Sequence, residues 1–256
     1  MFSLHRIFCS LLLCLAGVTG GQAQIKSGVP TVETILARMA EARADNRTRL
    51  RPYRVTRNYR LFGKEKQITK SEVIADLTFV PPDFKKYAIR QAKGMALGES
   101  IVRQMLEHET GIVKNSGLTD MSSANYDFRF LREEELNGRR SYVLEMVPWR
   151  KDKTLLRGKI WVDSTTYRLQ RTEGEPGKAP SWWLRDSRIV LVYGDVGGMW
   201  LQTGSESTAT VRFLGQHTMV SHDLKYEFGQ SATAASGLKS PTVARISMRL
   251  KSLSEQ

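Results

Sequence analysis

The sequence predicts a mainly β protein of the α+β class, built on one large antiparallel sheet and two helices. Three observations lead to this prediction: most segments after residue 50 alternate apolar and polar residues, only two segments have a helical period, and successive strands are joined by short connections. Short connections make neighbouring strands antiparallel, because a parallel return needs a long crossover. Such a large sheet has to curl, and helices, lipid or another ligand must then cover its concave face.

The composition is that of a globular chain with a basic excess. Of 256 residues 41% are hydrophobic, and 39 Lys and Arg stand against 26 Asp and Glu, which gives a formal net charge of +13. This composition excludes an acidic solvating chain and disfavours intrinsic disorder. A basic surface attracts nucleic acid, anionic lipid surfaces or acidic proteins. A basic surface that serves only solubility is an open alternative.

Residues 1–23 have the form of a secretory signal peptide. His5 and Arg6 precede an apolar run of about 12 residues, which is shorter than the roughly 20 that span a bilayer, and small residues follow up to Ala23. We expect cleavage after Ala23 and a periplasmic protein, and export argues against nucleic acid as a partner. Cys9 and Cys14 both lie in this segment, so no cysteine remains after cleavage.

Two segments have helical periodicity. The first begins after Thr31, which can cap it, and its apolar residues recur at helical spacing: Val32, Ile35, Leu36 and Met39. The second runs from Glu99 to about Thr110 and ends at Gly111, a residue suited to a left-handed cap. Its apolar stripe consists of Ile101, Val102, Met105 and Leu106.

The strands are predicted from alternation and from the turns between them. The first begins at Tyr53, Pro81-Pro82-Asp83 marks a turn, and Asn137-Gly138 is a strong hairpin signal. The other predicted strands cover residues 72–80, 84–91, 126–130, 141–147, 158–163, 167–173, 187–193, 199–203, 206–214, 219–228 and 243–250.

No motif for catalysis is found in the sequence. His217 and His222 would have to share a face to bind a metal, but their spacing along a strand places them on opposite faces. His222 has the parity of Tyr226 and Phe228, which predicts a histidine on the inner face. The carboxylates Glu133 to Glu135 precede a hairpin turn, where a solvated edge is the more common role. We therefore expect no enzyme, no cofactor and no metal.

Several segments resemble the outer-membrane lipoprotein-sorting proteins related to LolA. They are Gly158-Lys-Ile-Trp-Val-Asp163, Tyr167 to Glu173, Pro180-Ser-Trp-Trp183, Val196-Gly-Gly-Met-Trp-Leu201 and Val211-Arg-Phe213. The resemblance implies one LolA-like half-barrel domain over residues 24–256, an incomplete β-barrel whose curled antiparallel sheet has two helices covering its concave face. In that family the apolar interior binds acyl chains of lipoproteins, and related folds bind a protein partner in envelope-stress sensing.

The resemblance and the helical stripe together predict an apolar binding site for acyl chains of lipids or lipoproteins, carried or sorted toward the outer membrane. The residues expected to line it are Phe79, Ile101, Val102, Met105, Leu106, Trp161, Trp182 and Trp183. Burial of acyl chains would supply the affinity, and basic residues at the rim would attract anionic headgroups or a membrane surface. The alternative is an envelope protein-interaction or stress-sensing module without lipid cargo, which Trp and Arg exposed together on one surface would favour.

Overall fold

The computed structural model describes residues 28–65, 68–112, 120–179 and 184–229. The predicted signal segment and the predicted strand at 243–250 lie outside these ranges. In chain order the elements are α1 (Val32–Arg49), β1 (Tyr53–Phe62), β2 (Thr69–Val80), β3 (Phe84–Gly94), α2 (Ala96–Ile112), β4 (Tyr126–Leu136), β5 (Arg139–Pro148), β6 (Leu156–Asp163), β7 (Leu169–Pro176), β8 (Leu184–Val196), β9 (Met199–Val211) and β10 (Gly215–Phe228).

All ten strands form one antiparallel sheet, in the order β3-β2-β1-β10-β9-β8-β7-β6-β5-β4. Each strand neighbours the next one in sequence, except that β1 pairs with β10 and so joins the first three strands to the rest. Within the described ranges β3 and β4 are the two edges, so the sheet is open. The predicted fold class, an incomplete barrel with two helices on its concave face, is confirmed.

Most local predictions are confirmed, but the prediction that Gly111 caps α2 is wrong, because the helix continues through Gly111 to Ile112. Thr31 caps α1, its side chain accepting a hydrogen bond from the Thr34 amide at 3.3 Å. Asn137 and Gly138 have positive φ angles of 52° and 74° and join β4 to β5, as expected for a two-residue hairpin. The prediction of separate strands at 199–203 and 206–214 is wrong: β9 continues through Gly204, which pairs with Val192 on one side and His222 on the other.

The two helices pack on separate apolar clusters. The α1 cluster joins Ile35 and Met39 to side chains of β4–β6, among them Leu144, Ile160 and Val162. The α2 cluster joins Val102 and Leu106 to side chains of β1, β2 and β10. Each helix is therefore held at one end of the sheet by its own buried contacts. None of the helices in the described part of the chain is long and apolar enough to span a membrane.

A pair of glycines allows the backbones of β6 and β7 to approach closely. Gly158 and Gly174 are cross-strand partners. A Cβ added at Gly158 would lie 2.0 Å from the carbonyl oxygen of Glu173, and one added at Gly174 would lie 2.4 Å from that of Arg157. Only residues without a side chain permit this approach. The Gly158 that opens the sequence segment quoted above thus helps to shape the sheet.

Candidate ligand-binding site

One row of cross-strand neighbours defines the concave face between the two clusters. Tyr59 of the α2 cluster pairs with Ser221, Ser221 with Ser205, and Ser205 with Leu191, which packs against the α1 cluster. Directly opposed residues share a face of the sheet, so both helices lie over the same face. The hydroxyl oxygens of Ser205 and Ser221 are 2.8 Å apart.

The middle of the concave face carries small side chains. In the neighbouring row Met219 pairs with Ser207, Ser207 with Ile189, and Ile189 with Gly174. We call the small residues of β9 and β10 in these two rows the central strip; they are Ser205, Ser207 and Ser221. Bulky apolar side chains flank the strip on both sides. On this face the small polar side chains of the strip thus lie between the two apolar clusters.

The predicted stripe of α2 lies at this face. Val102 and Leu106 are fully buried on β1 and β2, whereas Ile101 and Met105 are partly buried at the margin of the same cluster. The four residues are therefore brought together as predicted. The two partly buried ones are the members of the stripe that retain accessible apolar surface.

Phe79 lies on the same face, toward the end of the sheet where β2 ends. Its ring centroid is 5.3 Å from that of Tyr53, which is 5.8 Å from that of Tyr226. Phe79 is buried, and it continues the alternation of Val73, Ala75 and Leu77 that faces α2. It belongs to the predicted face but is packed among aromatic rings.

Trp161 lies on the opposite, convex face. It pairs across the sheet with Arg171 and Val143, and its neighbours Ile160 and Val162 point to the α1 cluster. Its side chain is 6% exposed, its indole nitrogen donates to Glu134, and the Arg171 guanidinium carbon lies 5.3 Å from its ring centroid. The structure therefore does not join Trp161 to the α2 stripe. Trp182 and Trp183 lie outside the described residues.

The prediction for His222 is wrong. A β-bulge leaves Leu224 without a partner in β1, since Arg57 pairs with Asp223 and Thr56 with Lys225. The extra residue reverses the alternation, so that Tyr226 faces inward while His222 faces outward. His217 and His222 lie on opposite faces, as predicted, and no group of three metal-ligating side chains occurs within the described ranges.

A buried charge cluster, which the sequence analysis did not identify, lies beneath α2. The Arg57 guanidinium donates to Asp223 and, at 3.2 Å, to Glu109 of α2, and Lys85 of β3 donates to the same Glu109. The Tyr226 hydroxyl donates to Asp223. Only 6% of the Arg57 side chain and 3% of the Asp223 side chain are exposed. The cluster contains two cations and two carboxylates, so its charges balance, and it fixes the last turns of α2 to the sheet.

The pKa values in this cluster follow from burial and from its charges. Burial alone would raise the pKa of Glu109, but Lys85 and Arg57 outweigh it, so the pKa lies below its usual range. Burial would lower the pKa of Arg57, yet the charge of Glu109 raises it. Burial raises the pKa of Tyr53 and of Tyr59 to about 12. Glu109 and Arg57 are therefore ionised, and Tyr53 and Tyr59 neutral, near pH 7.

The sequence does contain a signal for this cluster. Arg57 has the parity of Tyr53, Val55, Tyr59 and Leu61, the apolar side of β1. Its charge alone favours an exposed position, which is why a buried site at Arg57 was not predicted. A charged residue within an apolar row indicates a buried partner, and Asp223 directly across the sheet is that partner.

The first turn of α2 is pressed against β2. A Cβ added at Gly98 would lie 2.2 Å from the hydroxyl oxygen of Ser71. Ser71 is buried and donates a hydrogen bond to the carbonyl oxygen of Lys93. Helix α2 is thus held at both ends, by close packing at Gly98 and by the charge cluster at Glu109. Ile101 and Met105 lie between these two attachments.

The convex face carries a separate polar groove of about 500 Å³ on β7–β10. Valines form part of its lining, and its polar lining includes Arg171, Arg188, Glu206 and His222. Both arginines donate to Glu173. The groove thus mixes valines with charged side chains, and it lies on the side of the sheet away from the helices.

Comparison with known proteins gives similar structures and no sequence family. No family model and no curated protein matches the chain. A domain assigned as an outer membrane lipoprotein-sorting protein from Vibrio parahaemolyticus is 16% identical at a TM-score of 0.45, over 78% of this chain and 94% of that one. A LolA superfamily protein from Nitrosomonas europaea is 11% identical at a TM-score of 0.37, over 79% and 95%. A DUF1329 family protein from Desulfovibrio piger is 13% identical at 0.41, also over 79% and 95%.

Two of these structures carry the lipoprotein-sorting and LolA superfamily descriptions, the family that the sequence segments resemble. With identities of 11 to 16% and TM-scores below 0.5, the similarities do not decide what this chain binds.

Proposed function

We propose that the protein is an exported, non-enzymatic binding protein for acyl chains of lipids or lipoproteins, which it carries through the periplasm toward the outer membrane. The observation that supports this proposal is the construction of the concave face. The two helices are anchored on separate apolar clusters, and the central strip between them consists of small side chains. An acyl chain is long, narrow and apolar, and it would lie over the short side chains of the strip, between the two apolar clusters.

The binding energy would come from apolar burial. Each CH₂ group removed from water contributes about 0.8 kcal/mol. Ile101 and Met105 at the α2 cluster, and Ile189 and Leu191 at the α1 cluster, are the partly buried apolar side chains that we infer contact the chain. Separation of the two clusters lets a chain enter without dismantling either one, because each helix keeps its own buried contacts.

The pairing of Trp161 with Arg171 does not support the alternative of a protein-binding module without cargo. Trp161 and Arg171 lie together on the convex face, but Trp161 is 6% exposed and donates its indole hydrogen to Glu134. An interaction site of the predicted kind requires that such an aromatic side chain be open to a partner.

Two measurements test the proposal. The protein is first produced with its own leader, purified from the envelope and examined by native mass spectrometry, followed by lipid extraction. We expect a bound acylated species. A bare protein mass together with no uptake of an added fluorescent fatty acid would refute the proposal.

The second measurement uses variants in the fluorescent fatty-acid assay. Met105→Gln and Ile101→Gln should each weaken uptake by roughly tenfold, since each places a polar group among the apolar side chains that we infer contact the chain. Leu224→Gln is the matched control: Leu224 is 57% exposed and lies at the bulge of β10. An equal loss in the control would show that the effect is not local to α2.

A further inference from the structure

The tip of the β9–β10 hairpin presents two apolar side chains to solvent. The tip is a turn closed by the Leu214 amide, which donates to the carbonyl oxygen of Val211 at 3.1 Å. Phe213 is 92% exposed and Leu214 is 59% exposed. Phe213 has the largest exposed fraction among the exposed large apolar residues of the described chain. Packing within the chain does not explain a phenylalanine here.

The backbone makes Phe213 more unusual. Its φ angle is +69°, in the left-handed region where glycine is at ease and a bulky side chain is strained. A turn selected only for its shape would carry glycine or asparagine at this position. A strained residue that is also exposed indicates a role outside the fold of the chain itself.

Other exposed apolar side chains lie at the same edge of the sheet. The register pairs Phe62 with Thr218 and Leu184 with Val211, so the β1–β2 turn and the start of β8 lie beside the tip. The other connections at this edge are those from β3 to α2 and from β5 to β6. We define this end of the sheet, which is formed by strand ends and their connections and not by the edge strands β3 and β4, as the hairpin edge. Beyond the tip it carries Ile68, Met95 and Trp149, which are 52%, 47% and 65% exposed.

Basic side chains surround these apolar ones. The Arg212 guanidinium carbon lies 5.5 Å from the centroid of the Phe213 ring. Exposed basic residues at the same edge are Lys64, Lys70, Lys151, Lys153, Lys178 and Arg185. The indole nitrogen of Trp149 donates to the carbonyl oxygen of Ser123 at 3.0 Å, which leaves the ring at the surface. Exposed aromatic and aliphatic side chains among basic ones are the pattern of surfaces that bind the interface of anionic bilayers.

We propose that the hairpin edge docks the protein on an anionic bilayer surface. Phe213 and Leu214 insert between the headgroups, and the lysines and arginines contact phosphates. The partner is the lipid surface rather than a single lipid, because the side chains lie on turns along an edge and do not enclose a pocket. This docking site is distinct from the concave face, and its residues take no part in the proposed cargo binding.

The test is flotation of the purified protein with vesicles. The vesicles contain phosphatidylethanolamine with about one quarter phosphatidylglycerol, and the comparison set contains only phosphatidylcholine. The protein should float with the anionic vesicles and remain behind with the neutral ones. An increase from about 0.1 M to about 0.5 M salt, which shortens the Debye length, should release it.

Variants assign the effect to the tip. Phe213→Gly removes the ring and suits the backbone angle, so the variant folds, and it should lower the bound fraction at least about fivefold. Leu214→Ser should lower it as well. Phe84→Ser is the matched control, since Phe84 is 53% exposed at the start of β3, at the opposite end of the sheet.

Three outcomes would overturn the assignment: no flotation of the unchanged protein, unchanged flotation of Phe213→Gly, or an equal loss in Phe84→Ser. The first outcome would indicate that the exposed tip binds a protein partner instead of a membrane. Phe213→Gly should also keep full uptake of the fluorescent fatty acid. Failure of membrane docking and failure of acyl-chain binding are therefore observed in separate assays.

Discussion

Asn46 of α1 pairs with both backbone groups of Trp200 in β9. Its amide nitrogen donates to the Trp200 carbonyl oxygen at 3.0 Å, and its amide oxygen accepts from the Trp200 amide at 2.6 Å. Strand β9 pairs with β10 only as far as Gly204 and His222, so at Trp200 the ladder on that side has ended. The Asn46 side chain takes the place of the missing strand and joins α1 to the sheet.

Replacement of Asn46 by Ala should destabilise the protein by about 1 to 3 kcal/mol, because it leaves an amide and a carbonyl group without a partner in a half-buried position. Asn46→Asp keeps the acceptor and loses the donor, so it should destabilise the protein less than Asn46→Ala. Urea denaturation measures both. The exposed neighbour Arg47→Ala is the control and should change stability by less than about 0.5 kcal/mol. Equal effects at positions 46 and 47 would contradict a specific role for the pair.

Arg57 should be among the most sensitive charged residues of the chain. Arg57→Met leaves Asp223 buried without its cation, which is expected to cost about 3 to 5 kcal/mol. Arg54 lies on the same strand, faces the other side and contacts Glu227 at 3.5 Å in a partly exposed pair. Arg54→Met should therefore cost less than about 1 kcal/mol. Denaturation of the two variants side by side checks the difference. Similar losses would show that the buried cluster contributes no more to stability than the partly exposed pair.

Glu109 should make the stability of the protein depend on pH in the acidic range. Its pKa in the folded protein is lowered: burial opposes this shift, and Lys85 and Arg57 outweigh it. Its contribution is therefore present well above the ordinary glutamate pKa of about 4.3, and it is lost as the pH falls through the lowered folded value. We expect Glu109→Gln to be less stable than the unchanged protein at pH 7 and to lose less on acidification. The control is Glu107→Gln. Glu107 accepts a hydrogen bond from the Tyr87 hydroxyl at 3.3 Å. A parallel pH dependence in all three proteins would contradict the prediction.

The sequence predicts the order and kind of the elements because these depend on local chemistry. Thr31 caps a helix, Asn137-Gly138 forms a hairpin, and alternation marks strands whichever way the sheet curls. Which face of the sheet an individual side chain occupies depends instead on strand pairing and on bulges elsewhere in the strand. A single extra residue at Leu224 reverses the assignment of His222. Alternation separates Trp161 from Ile160 but does not say which of the two faces the helices.

The candidate site is predictable in part for the same reason. The α2 stripe is found because helical spacing alone places Ile101, Val102, Met105 and Leu106 together. The central strip depends on which strands become neighbours, and Ser205 and Ser221 have no local signal that they will meet. Arg57 is overlooked because its charge indicates a surface position, whereas its parity indicates the interior.

Gly98 should resist replacement by the better helix former alanine. In an exposed helix, Gly→Ala stabilises by about 1 kcal/mol. A Cβ at Gly98 would meet the Ser71 side chain at 2.2 Å, whereas one at Gly111 of the same helix meets nothing within 4 Å. We expect Gly98→Ala to destabilise the protein and to alter fatty-acid uptake, and Gly111→Ala to be neutral or stabilising. Thermal melting of the two variants checks this, and a stabilising Gly98→Ala would show that α2 is not pressed against β2.

Phe213→Gly should stabilise the fold while it removes the proposed membrane contact. The left-handed backbone conformation costs a residue with a side chain about 1 to 2 kcal/mol, and Phe213, at a φ of 69° and 92% exposed, recovers little of this by packing. The gain is reduced by the greater freedom of glycine in the unfolded chain, so we expect a rise of up to about 1 kcal/mol in the free energy of unfolding. Gly215, with a φ of 79°, is the reciprocal control, and Gly215→Ala should destabilise. If Phe213→Gly has a higher melting temperature and no longer floats with anionic vesicles, Phe213 lowers the stability of the fold and serves membrane binding. A less stable Phe213→Gly would instead show that the ring contributes to the fold.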